Sequence, residues 1–117
     1  MYQSALLKDR SKRFALEIIG IARTLTGAES EKVIARQLLR SGTSVAANYR
    51  ACCRARSKAE FVAKMGVVVE EADETVFWLE VLMETGMSGP DVIRPLLKEA
   101  NELLAIFAAS YHTAKNG

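Results

Sequence analysis

Proline is scarce, with two residues in 117, and cysteine is as rare, with two that stand side by side at 52 and 53. There is one histidine, aromatic residues make up 7% of the chain, and β-branched residues cluster only at Val67-Val68-Val69. Each scarcity excludes something. With half the residues hydrophobic, a quarter charged and so little proline, the chain is not disordered. Few β-branched residues amid abundant alanine and leucine favour helix, and neither a strand pattern nor an internal repeat is present. The longest clearly apolar run, residues 103–109, falls far short of the ~20 residues that cross a bilayer. The opening MYQSALLKDRSKRF lacks the apolar core and cleavage site of a signal peptide. These features predict a soluble, cytoplasmic, single-domain protein with no membrane partner.

The same scarcities remove most chemistry. A di-iron bundle needs Glu-x-x-His pairs on two helices, and no glutamate stands three residues before His112. Adjacent cysteines on a helix diverge by about 100° and cannot chelate zinc together. They read as reduced, partly buried fillers. An arginine followed four to six residues later by histidine, the pattern of many small all-helical ribonucleases, is missing. No nucleophile–base pair or phosphate loop is recognisable. The expectation is a protein that is not an enzyme and uses no metal or cofactor.

What is present is helical periodicity. Leu7, Phe14, Ile18, Ile21 and Leu25 fall within ~60° of arc, predicting a first helix over about 4–26 with Gly27 as a left-handed C-cap. Ser30 is the candidate N-cap of a second helix over 31–54, striped by Ile34, Leu38, Gly42, Val45, Tyr49 and Cys52. Ser57-Lys58-Ala59-Glu60 is a capping box that opens a third helix over 58–84. Its stripe is Phe61, Met65, Val68, Ala72, Val76, Leu79 and Met83. TGMSGP, residues 85–90, is the one strong loop signal. A fourth helix over 91–113 carries Val92, Leu96, Leu103 and Phe107, with an irregular or kinked first turn at Pro95. Short loops make neighbours antiparallel, so the fold class is all-α, an up-and-down four-helix bundle in one domain, 1–117.

Charge is unevenly placed. Residues 1–58 hold 12 Lys or Arg against 4 Asp or Glu, a balance of +8, and residues 59–117 hold 4 against 10, a balance of −6. Lys32, Arg36, Arg40, Arg50 and Arg54 lie opposite the apolar stripe of the second helix, and Arg56 and Lys58 extend them at the turn. These seven are the candidate nucleic-acid contacts. Ser41, Ser44 and Asn48 edge the stripe and predict a polar seam with the third helix, Ser41 level with Glu71 and Asn48 with Lys64. Val67, Glu71, Glu74, Phe77, Trp78 and Val81 lie off the main stripe of the third helix and are the candidate subunit interface; Trp78 buried within its own chain is the alternative.

Together, RQLLRSGTSVAANYRACCRARSKAEF and the following KM…EEADETVFWLEVL resemble the bacterial four-helix-bundle family first known from intervening sequences of 23S ribosomal RNA genes. The resemblance is carried by Arg40-Ser41, Ser44, Asn48-Tyr49-Arg50, Ser57, Glu60-Phe61, Lys64, Glu71-Ala72, Glu74-Thr75 and Trp78-Leu79. Ala51 stands where the family often has glutamate. The resemblance implies a bundle that assembles into a ring, commonly a homopentamer. A related group, the accessory variability determinants of diversity-generating retroelements, is similar in fold and binds reverse transcriptase and nucleic acid through a basic surface. Fold alone does not carry function across. Three expectations therefore stand. The first is a non-enzymatic ring whose basic face docks RNA or a nucleic-acid-bound protein such as a reverse transcriptase. The second is a purely structural or protein-interaction module whose charged faces serve only assembly. The third is a small-ligand binder using the Ser44–Asn48 seam.

Overall fold

The structure, a computed structural model, describes residues 2–117 and, within the first helix, side chains from Ser4 onward. Four helices follow in order: α1 (Tyr2–Ala22), α2 (Glu29–Cys52), α3 (Lys58–Thr85) and α4 (Pro90–Asn116), with no strand among the described residues. They form an up-and-down four-helix bundle measuring 45 × 23 × 21 Å. Consecutive helices pack along their lengths, whereas α1 and α4 share a much thinner seam.

The core follows from spacing. Phe14, Ile18, Ile21 and Leu25 are buried in and just after α1, all six stripe residues of α2 are buried, and Met65, Val68, Ala72, Val76 and Leu79 fill α3. Leu7 is only half-buried, and the buried Ser11 occupies the gap between it and Phe14. In α4 the buried stripe is Ile93, Leu96, Ala100, Leu103 and Phe107, spaced three, four, three and four. In the first turn Ile93 takes the core position, and Val92, about 60° from the centre of the stripe, is left exposed, contrary to the sequence expectation.

Helix ends differ from expectation in ways the hydrogen bonds explain. α1 stops at Ala22, not Thr26: Thr24 Oγ1 donates to the Ile21 carbonyl (2.7 Å), closing a turn that brings Leu25 back into the core. Gly27 is not a left-handed cap; Gly86, which ends α3 with φ 73°, is the one positive-φ residue described. α2 begins at Glu29 with Ala28 as N-cap, so Ser30 lies inside the first turn. Ser57 does cap α3, its Oγ accepting from the Glu60 amide at 3.1 Å. α4 begins with Pro90 at N1, where a missing N–H costs nothing, and runs on through Pro95.

Two contacts fix neighbouring helices. At Gly42 a Cβ would stand 2.8 Å from Ile18 Cγ2, so the glycine is what allows α1 to approach α2 this closely. The α1–α4 seam is clipped by Arg10, whose Nε and Nη2 donate to the two Glu99 carboxylate oxygens (2.7 and 2.6 Å) and whose Nη2 also reaches Glu102 (2.9 Å).

Candidate nucleic-acid interface

Antiparallel packing sets the first half of α1 against the last half of α2. There Lys8 and Lys12, one turn apart, face Arg50 and Arg54, also one turn apart, across a groove of about 560 Å³. Its floor is made of small side chains, Ala5, Thr43, Ala46 and Ala47. The Thr43 hydroxyl is turned back to the Leu39 carbonyl (2.7 Å). Asp9 is the one acid lining the groove, and Arg13 holds its carboxylate at 3.0 Å. Among the described residues, Lys8, Lys12, Arg50 and Arg54 form no ion pair. Four exposed cations on an alanine floor can grip a chain of phosphates; with no aromatic in the groove, it offers bases nothing to stack on.

The sequence pointed to Arg50 and Arg54 but not to Lys8 and Lys12. No local signal marked them: they lie about 110° and 150° around α1 from the centre of its apolar stripe, and only the register of α1 against α2 brings them to the groove. The other candidate cations disperse. Lys32 is exposed on α2, Arg36 has only a loose contact with Glu29 at 3.9 Å, and Arg56 and Lys58 are exposed at the α2–α3 turn. Arg40 points away from the groove altogether. Its Nη1 donates to both oxygens of Glu71 (3.0 and 3.2 Å), and its Nη2 donates to Glu74. Trp78 Nε1 completes this network at Glu74 Oε2 (3.2 Å). The Arg40 guanidinium, aided by Trp78, holds the Glu74 carboxyl below its usual range.

The network changes the picture of the neighbouring residues. Glu71, Glu74 and the half-buried Trp78 are engaged within their own chain, as is half-buried Val81 against the core, whereas Val67 and Phe77 stand exposed on α3. The polar seam forms at Ser41, but one turn further along than expected: the Thr75 hydroxyl donates to the Glu71 carbonyl (2.8 Å) and lies 3.0 Å from Ser41 Oγ, while Glu71's carboxylate receives Arg40. Asn48 does not cross to Lys64. Its Nδ2 turns back to the Ser44 carbonyl and hydroxyl (2.9 and 2.7 Å), closing the Ser44–Asn48 pair within α2. Cys52 is buried, with its thiol towards the Phe61 carbonyl (3.6 Å), and burial raises its pKa to about 11. A thiol kept protonated in this way is a poor nucleophile. Among the described residues no group of three or more His, Cys, Asp and Glu side chains could hold a metal ion, and no helix is long and apolar enough to cross a membrane.

Known proteins bear on this arrangement as follows. A solved structure from Bacteroides thetaiotaomicron VPI-5482, a protein of unknown function from the S23 ribosomal protein family, superposes with a TM-score of 0.83 at 32% sequence identity. The match covers 90% of this chain and 97% of that one. No curated protein matches. The sequence model of the 23S rRNA-intervening sequence protein family matches residues 5–109, which includes the α1–α2 groove and the Arg40 network. The chain belongs to the 23S rRNA-intervening sequence protein family.

Proposed function

We propose that this protein is a non-catalytic RNA-binding bundle that grips the phosphodiester backbone through the α1–α2 groove. One observation carries the reading. Lys8, Lys12, Arg50 and Arg54 converge from two helices on one groove and, among the described residues, none is spent on an ion pair. The small floor lets a backbone approach, and the cations would replace its counterions. Recognition is then by charge and path, with little sequence preference. Arg56 and Lys58, exposed at the nearby turn, lengthen the cationic track.

The test is filter binding of a structured RNA across a salt series. Contacts with about four phosphates give a slope of log K against log salt of roughly −3 to −4. Lys12→Glu and Arg50→Glu should each weaken binding at least tenfold. Lys98→Glu, on the exposed side of α4, should change it less than threefold. Absence of binding at low salt, or equal losses from all three substitutions, overturns the proposal.

A further inference from the structure

Beyond the cationic groove, the α1–α2 face continues into a second, smaller groove of about 260 Å³. On α1, Lys8, Lys12, Ile19 and Arg23 fall within about 60° of arc, and on α2 so do Arg36, Leu39, Arg50 and Arg54. The two grooves are therefore one track along the bundle. Helical rise puts their centres roughly 16–22 Å apart, a reach of a few nucleotides of extended strand. Their linings differ. The first is rimmed by cations, whereas Ile19, Ala22, Ala35 and Leu39 line the second, and its only charged residues are the exposed Arg23 and Arg36.

A purely electrostatic grip on phosphates has no use for this apolar patch. Leu39 is exposed beside the half-buried Ile19, and the exposed Leu16 continues the strip towards Lys12. No carboxylate lines the groove. Arg23 has no ion-pair partner among the described residues, and the exposed Arg36–Glu29 contact at 3.9 Å is too loose to hold Arg36 back. The socket thus joins an apolar lining to unspent guanidinium groups, in line with the cations proposed to hold phosphates. The part of an RNA that suits it is a nucleobase, which is flat, apolar on both faces and tethered between two phosphates. Its size also fits one base, since pockets for drug-sized ligands begin near about 300 Å³. Arginine guanidinium planes stack on splayed bases, and the aliphatic side chains would cover the other face.

We infer that the Ile19–Leu39 groove takes one unstacked base of the RNA whose backbone lies in the cationic groove, an inference that rests on the RNA-binding reading above. The substrate class follows: single-stranded, looped or bulged RNA in preference to duplex. An A-form duplex keeps its bases stacked inside and offers this face phosphates and ribose hydroxyls. To fill the socket it must unpair and unstack a base, whereas a single strand presents one at little cost. Apart from the two arginines, the lining has no side chain that hydrogen-bonds a base edge. The socket therefore selects for an available base, not for its identity.

Filter binding of the full chain at one moderate salt concentration compares three probes of equal length. They are oligouridylate, whose bases stack little on one another, an abasic sugar-phosphate oligomer, and an RNA duplex. The native protein should hold oligouridylate at least tenfold tighter than the abasic oligomer, and tighter than the duplex despite its doubled charge. Leu39→Asn, at an exposed site, strips the socket wall without changing charge, and Ala35→Met fills the socket with a good helix former. Each should keep native helicity by circular dichroism and bring oligouridylate to within threefold of the abasic oligomer, whose own affinity stays unchanged. Lys12→Glu should weaken both of those probes equally. Equal native affinity for oligouridylate and the abasic oligomer, or a native preference for duplex, overturns the inference and leaves the phosphate grip standing. So does a tenfold base preference that survives both socket substitutions, which would leave the groove to another occupant such as an acidic protein segment. Absence of binding to every probe at low salt overturns both readings.

Discussion

Arg40 and Arg50 sit ten residues apart on α2, and the fold treats them oppositely. Arg40 faces α3, where Glu71, Glu74 and Trp78 consume its charge in a closed network. Arg50 faces α1, where its neighbours are Lys8, Lys12 and Arg54, and among the described residues it forms no ion pair. A cation is available to a partner only if its own chain leaves it unanswered. Two arginines on one exposed helix can therefore belong to different machines, one that holds the bundle together and one that meets another molecule.

Substitutions can separate the two seams. The largest effect expected in the closed seam follows Arg40→Met, which leaves the Glu71 and Glu74 carboxylates three residues apart with no counter-charge. Because Arg40 is half-exposed, the urea midpoint should fall modestly but measurably. RNA affinity should fall less than threefold. A tenfold loss of RNA binding with unchanged stability would reverse the roles given to the two arginines.

Gly42→Ala acts on the other seam. Its new methyl meets Ile18 Cγ2 and Cγ1 at 2.8 and 2.9 Å, close to the branch point of a buried side chain with little room to yield. Overpacking costs about 1–3 kcal/mol, against about 1 kcal/mol gained in helix propensity, so a net destabilisation of about 1 kcal/mol is expected. Forcing α1 from α2 also widens the cationic groove, and RNA binding should weaken with stability. An unchanged melting temperature would show that the close approach is not required.

The smallest effect is one of pH. Burial, with the neighbouring Cys53, raises Cys52 from 9.0 to about 11, and burial likewise raises Tyr49 from 10.0 to about 12. Both groups are neutral in the fold and ionise more readily once unfolded. Their contribution is complete below about pH 9 and is lost as pH rises through 9 towards 11 and 12. The urea midpoint should therefore hold steady from pH 7 to about 9 and decline above it. Cys52→Ala should flatten the first part of that decline; a midpoint rising with pH would contradict the sign.

How much of this was legible in the sequence depended on whether a feature was local. Every apolar position of α2 could be read because 3.6-residue periodicity is local, and the Ser57 cap because four consecutive residues specify it. Val92 was misplaced because it lies at the edge of the stripe in the first turn of α4, where its neighbour Ile93 takes the core position. Gly27 was misread because Thr24 and Leu25 end α1 before the chain reaches it. The fate of Arg40 and the recruitment of Lys8 and Lys12 were out of reach for a different reason. Both depend on which helix lies opposite and at what register, a relation between residues up to some 45 positions apart.

Trp78, the chain's one tryptophan, hydrogen-bonds Glu74 inside the Arg40 network and touches Phe77, yet lines no part of the cationic groove. Its emission is thus an optical label already wired to one event and blind to another. Opening of the Arg40 network would expose the indole to water and shift its spectrum, whereas filling the groove with phosphates would leave its colour unchanged. A fluorimeter can then follow the opening of the α2–α3 seam and RNA loading in one cuvette, the indole reporting the first and a dye on the RNA reporting the second.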